Sequence, residues 1–270
     1  MTTCHIRRSH GSLARALALL HVLTAALFTF HTHAAASQTL AAPEPGIRVK
    51  PVLTFPEGKI AIKQWMAQHQ WESKRHDPSR FEVGNRQLRL VSQGDSIMIG
   101  TTHGFPIDPH AWPRLRMRLR VTKNPSGADN AKKSGDDAAF RVYVTFDRGK
   151  ALFGPSRTIV YLWTEDVAAE TFIKSPYYSK KLRYLSIGMG VTDTTARHRQ
   201  RRKNPGQERQ DDAGWVTIER HLLQDYRRAF PRDTRAVPAL GGILLKCDSN
   251  NTGTSAEAWL AQLDLLAPAR

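Results

Sequence analysis

The sequence predicts an all-β fold with minor helix, a β-sandwich of the jelly-roll or carbohydrate-binding-module-like type. Apolar residues alternate with polar ones at period two in one segment after another, the spacing of strands with one buried face. Gly, Pro, Asn and Asp turns separate these segments. Helical spacing is confined to two short stretches. Many short strands divided by turns fit a sandwich or a barrel.

The segments follow in order. QLRLVS (87–92) and SIMIGTT (96–102) are the first strand candidates. In RLRMRLRV (114–121), Leu115, Met117, Leu119 and Val121 point one way, and Arg114, Arg116, Arg118 and Arg120 form a wet face. In FRVYVTFD (140–147), Phe140, Val142, Val144 and Phe146 share one face, with Arg141, Tyr143, Thr145 and Asp147 on the other. TIVYLWTE sets Val160 and Leu162 against Tyr161 and Trp163. RYLSIGMG (183–190), WVTIERH (215–221), GGILLKCD (241–248) and AWLAQLDLL (258–266) complete the strands. LLQDYRRAF (222–230) has Leu222, Leu223, Tyr226 and Phe230 at helical spacing and ends at Pro231; IAIKQWMAQHQW (60–71) is a second helix candidate. The segments 123–135 and 196–212 are polar and without apolar period; the second is highly basic and is expected to be a mobile loop.

The N-terminus carries a different signal. Arg7, Arg8 and Arg15 precede the apolar run ALALLHVLTAALFTF, and small residues follow at Ala34 and Ala36. That is the pattern of a signal peptide over residues 1–36. The apolar run is short for a membrane span, which takes about 20 residues, and an uncleaved anchor is the alternative reading. Residues 37–50 read as a flexible lead-in and 51–270 as a single sandwich domain. Cleavage removes three arginines and no acid, so the formal charge falls from +16 to +13. It also removes Cys4 and leaves Cys247 alone, which excludes an intrachain disulfide framework in the exported chain. The expected location is therefore periplasmic or secreted. Export argues against nucleic acid as the partner of the positive charge. Envelope polysaccharide, another anionic ligand or peripheral contact with lipid headgroups fits it better.

Five blocks also carry a family resemblance. They are WPRLRMRLRV (112–121), GADNAKKSGDDAAFRVYVTFD (127–147), IVYLWTE (159–165), GWVTIERHLLQDYRRAF (214–230) and GGILLKCDSNNTGTSAEAWLAQLDLL (241–266). In this order the chain resembles the uncharacterised bacterial exported family catalogued as domain of unknown function 3047. The resemblance implies export and a β-sandwich, and it implies no activity. This chain departs from the family pattern in RLRMRLR, where the family reads closer to W-x-W, and in its long basic 196–212 loop.

Three clusters are candidate sites. Asp136 and Asp137 precede a strand and read either as turn formers or, with Asp248, as oxygen ligands for calcium. Cys247 to Gly253, CDSNNTG, is first a turn, but Asp248, Asn250 and Asn251 also suit sugar hydroxyls or a metal ion. Arg141, Tyr143, Tyr161 and Trp163 form one aromatic and cationic sheet face if their two strands pair. Such a face would either bind a ligand or lie under a loop as a second core layer. No Gly-x-Ser-x-Gly elbow, His-Glu-x-x-His or phosphate-binding glycine loop occurs. Cys247 sits on an apolar strand, where an inert buried thiol is expected.

These readings point to a non-catalytic module binding a polar or anionic, glycan-like ligand, with no obligatory cofactor. One alternative is a polysaccharide hydrolase or lyase using Asp136, Asp137 and Asp248. The other is a structural envelope protein whose basic loop meets acidic lipid.

Overall fold

The computed structural model describes residues 46–73, 76–147, 156–165, 167–188, 208–210 (backbone only) and 214–269. Each strongly alternating segment is a strand. In chain order these are β4 (Gln87–Gln93), β5 (Ser96–Thr101), β6 (Arg114–Lys123), β7 (Ala138–Phe146), β8 (Arg157–Leu162), β10 (Leu182–Ser186), β12 (Val216–His221), β13 (Leu240–Asp248) and β14 (Ser255–Pro268). Five shorter strands lie outside the predicted set: β1 (Ile47–Pro51), β2 (Glu72–Ser73), β3 (Glu82–Gly84), β9 (Phe172–Lys174) and β11 (Glu208–Gln210). Both predicted helices form, α1 as Ile62–His69 and α2 as Leu222–Ala229.

The strands make two sheets. One runs β11-β12-β6-β14-β4-β3, with β1 on the far end of β14; the other runs β2-β5-β13-β7-β8-β10-β9. The central orders are β12-β6-β14-β4 and β8-β7-β13-β5, so strands close in sequence hold matching places in opposite sheets. Among these eight, every step along the chain crosses to the other sheet except β7 to β8. This is the winding of a jelly roll. The inner faces are those the alternation predicts: Leu115, Met117 and Leu119 from β6 meet Val142, Val144 and Phe146 from β7 in one fully buried cluster. Burying each such side chain stabilises the fold by about 1.5–3 kcal/mol.

The outer arginine row of β6 is not simply wet. Arg116 is buried and pairs with Glu219 of β12 at 2.6 Å. Arg118 and Arg120 each stand 5.1 Å from the ring centre of Trp215, and Arg120 and Arg89 flank Trp259 at 5.5 and 5.4 Å. Neighbouring strands supply the anions and rings that cover this row, which alternation within β6 alone does not reveal.

Residues 47–50, expected as part of a flexible lead-in, form an edge strand. β4 covers only residues 255–260 of the long β14, and β1 pairs with residues 264–268. The unpaired edge that β14 would otherwise expose is thereby closed. Residues 1–36 and most of the 196–212 loop lie outside the described residues; within that loop, 208–210 pairs with β12 as β11. Among the described residues no helix is long and apolar enough to cross a membrane.

Cys247 is fully buried on β13, and burial pushes its thiol up to about 12. It therefore stays unlabelled by an electrophilic thiol reagent at neutral pH in the native chain. Peptide mapping should find the label at Cys247 only after denaturant; rapid native labelling would show that β13 opens.

Candidate functional site

The register of β7 decides where the predicted residues go. Arg141 lies opposite Lys246 of β13 and Leu162 of β8, and Tyr143 lies opposite Leu244 and Val160. Tyr161 lies opposite Val142, so it enters the core, on the face away from Arg141 and Tyr143. The expected four-residue face of Arg141, Tyr143, Tyr161 and Trp163 therefore does not exist. Alternation assigns faces within a strand, but a one-residue change of register exchanges them between strands. Nor is the Arg141–Tyr143 face open. Val160, Leu162, Ile173 and Tyr184 form a second apolar cluster there, with Tyr143 packed against it. The Tyr177 hydroxyl donates to the Lys133 carbonyl at 3.1 Å and ties two covering loops together.

Arg141 is 1% exposed and lies inside a network at the start of β7. It pairs with Asp136 at 2.8 Å and with Asp248 at 3.7 Å, and it donates to Asn130 Oδ1 at 2.7 Å. Tyr184 donates to the other Asp136 oxygen at 2.8 Å. Asp248 also pairs with Lys246 and accepts the Ala138 N–H. Two carboxylates thus face two cations. Burial works against the charge on Arg141, but Asp248 and Asp136 hold its guanidinium well above its usual range.

Asp137, in the loop before β7, points elsewhere. Its oxygens accept from the Asn251 N–H and Nδ2 at 3.2 Å each and from the Thr252 N–H at 2.7 Å. The two aspartates therefore fasten two different parts of the fold. Asp136, Asp137 and Asp248 gather at one end of the sandwich, but their oxygens are turned to protein donors. Among the described residues no group of three or more His, Cys, Asp or Glu is placed to hold a metal ion. Asn251 is an anchor of the turn, and Asn250 is exposed beside it.

A cleft of about 480 Å³ opens over this network, lined among others by Thr122, Asn130, Asp137, Trp163, Thr164 and Glu165. Trp163 follows β8, and its backbone N–H donates to the Phe140 carbonyl at 3.0 Å. Thr164 is backed by Gly188, where an added Cβ would come within 2.1 Å of the Thr164 carbonyl oxygen, so only glycine fits. Asn130 is held by Arg141. Among the described residues, Asn130 Nδ2 and Trp163 Nε1 are nonetheless buried without a hydrogen-bond partner. A buried unsatisfied donor costs about 1–3 kcal/mol, and such exceptions call for an explanation. The exposed Glu165 carboxylate adds an acceptor at the rim. The residues that carry these two donors line one recess with an acceptor at its rim, a combination that suits a molecule rich in hydroxyl groups. Of the residues that make the recess, Asp137 and Trp163 were legible in the sequence; Asn130, Thr164 and Glu165 were not. Their signal is the polar 123–135 loop and the TE that ends the β8 motif.

The chain matches the profile of the family described as "Protein of unknown function (DUF3047)" over residues 63–264, and it belongs to that family. No curated protein matches it. Among solved structures it is similar to the xyloglucanase domain of NopAA, a type three effector from Sinorhizobium fredii, in complex with cellobiose. The identity is 7%, the TM-score is 0.37, and the match covers 73% of this chain and 91% of that one.

Proposed function

We propose that this member of the DUF3047 family is an exported protein, periplasmic or secreted, that binds a polar, glycan-like ligand without transforming it. The observation that carries this reading is the pair of buried, unpartnered donors, Asn130 Nδ2 and Trp163 Nε1, at one cleft. The ligand's hydroxyl oxygens take those donors, and Glu165 receives a hydroxyl proton in return. Binding is favoured over hydrolysis because Asp136, Asp137 and Asp248 are engaged by Arg141, Tyr184, Lys246 and the 251–252 turn, so none is free to act on a substrate.

The test is thermal melting of the full chain against separate neutral and acidic glycans, with calcium and with EDTA. A ligand bound only by the native state raises the melting temperature. A shift is expected with one glycan class and is expected to be independent of calcium. Trp163→Phe keeps the ring and removes the N–H, and it should weaken binding about 2–12-fold. A panel that shifts nothing, or equal affinity in the variant, removes this reading.

A further inference from the structure

A second site, independent of the cleft, lies where α2 ends. Tyr226 and Phe230 are buried on one side of that end, and Asp233 follows in the turn. Asp233 pairs with Arg235 at 3.0 Å and with Arg157 at 3.3 Å, and accepts from the Tyr226 hydroxyl at 2.7 Å. Arg227 donates to the carbonyls of Asp233 and Arg235 at 2.7 and 2.9 Å. Arg183, from β10, comes to the same place. Its guanidinium carbon is 5.6 Å from the centre of the Phe230 ring, and that of Arg157 is 4.8 Å from it. Arg183 donates to the Leu182 carbonyl at 3.1 Å, and no carboxylate pairs with it among the described residues.

Among the described residues, Arg157 and Arg235 share the Asp233 carboxylate, Arg227 bonds the carbonyls beside it and Arg183 joins Arg157 at Phe230, so cations outnumber carboxylates here. The carbonyl end of a helix offers only about half a negative charge against that surplus. Burial and the neighbouring Arg157 both push the Arg183 pKa down, as expected for a cation that lacks its counterion. Both guanidiniums lie against the Phe230 ring, near enough for Arg157 to act on Arg183, and guanidinium forks match the oxygens of phosphate or carboxylate.

We infer that Arg157 and Arg183, seated on Phe230, form a binding site for a phosphate or carboxylate group. The bound anion bridges the two guanidiniums and replaces the missing counter-charge. Arg183→Met tests this role, because methionine keeps an apolar contact with Phe230 and removes the charge together with the local bond to the Leu182 carbonyl. The full chain and the variant are melted in chloride and then in inorganic phosphate at matched ionic strength. Phosphate should raise the melting temperature of the parent beyond the chloride value and saturate, and the variant should bind it at least about tenfold more weakly. In phosphate-free, low-salt buffer the variant should melt no lower than the parent, since a repulsion has been relieved. Equal phosphate shifts in both proteins, or none in either, would overturn the site. So would a variant less stable than the parent by the same margin in both buffers, which is the mark of a purely structural arginine. Vesicles of phosphatidylglycerol against phosphatidylcholine, and polygalacturonate beads, then separate the sources. Binding that Arg183→Met abolishes on the vesicles assigns a lipid headgroup, on the beads a glycan carboxylate, and on neither a free anion.

Discussion

Replacing Arg141 with alanine should lower the free energy of unfolding by about 3–5 kcal/mol, the range found when one partner of a buried ion pair is removed. Asp136 and Asp248 are 3% and 0% exposed, so neither can turn to water when the guanidinium goes. Asp248 keeps Lys246, and among the described residues Asp136 keeps the Tyr184 hydroxyl. Urea unfolding measures the loss, with an unchanged m-value as the sign that stability alone has moved. Adding Asp136→Asn to Arg141→Ala removes the charge left unpaired and should recover part of the loss. Asn130 also loses the bond that orients it, so glycan binding should weaken in Arg141→Ala even where the protein is folded. A loss below about 1 kcal/mol is the value of an exposed pair, and it would mean that water reaches the network.

The same residue shows how far alternation carries. Arg141 and Tyr143 do point together, as period two requires, and Leu115, Met117 and Leu119 do face the core. The error lies in Tyr161. Nothing local says whether it stands beside Val142 or beside Arg141, because register is fixed by pairing between segments distant in sequence. The covering of the Arg141 face was legible only as one of two alternatives, since the loop that closes it is joined through Tyr177 and Lys133, 44 residues apart. The turn reading of residues 247–253 agrees with the structure because turn chemistry is local: Gly253 takes φ +66°, and Asn251 and Thr252 offer N–H groups to Asp137. The cleft was not legible. An unpartnered donor is a property of everything packed around it, and Asn130 looks like any other loop asparagine until Arg141 is seen to hold its oxygen. Short strands such as β3 and β9 fail for the opposite reason: three residues are too few to display a period.

The second large effect is expected at Arg220. In β12 it continues the inward series Val216, Ile218, Arg220, a position where the period calls for an apolar residue. It is 3% exposed and contacts Asp225 through two nitrogens, at 2.8 and 3.0 Å, and Glu170 at 3.0 Å. Tyr161 donates to Asp225 at 3.0 Å. These bonds fix the corner where β12 turns into α2. Arg220→Leu should therefore cost about 3–5 kcal/mol at neutral pH, although leucine suits the face better. Arg220→Leu with Asp225→Leu should be markedly more stable than the single variant, because no buried charge is then left alone.

The pH dependence gives a separate check. Burial raises the Glu170 carboxyl, but hydrogen bonds and charge from Arg220, aided by Arg228, bring it below its usual 4.5. A depressed carboxyl contributes stability above its unfolded pKa and loses it as pH falls through the folded one. In the parent that contribution disappears on the acid side of pH 4.5. With Arg220 gone the depression shrinks, so the gap between parent and Arg220→Leu should narrow as the pH falls below that value. Urea midpoints measured from pH 7 down to the acid limb would show the convergence. Parallel curves would mean that Arg228 alone holds Glu170, and that the corner depends on Asp225 and Tyr161.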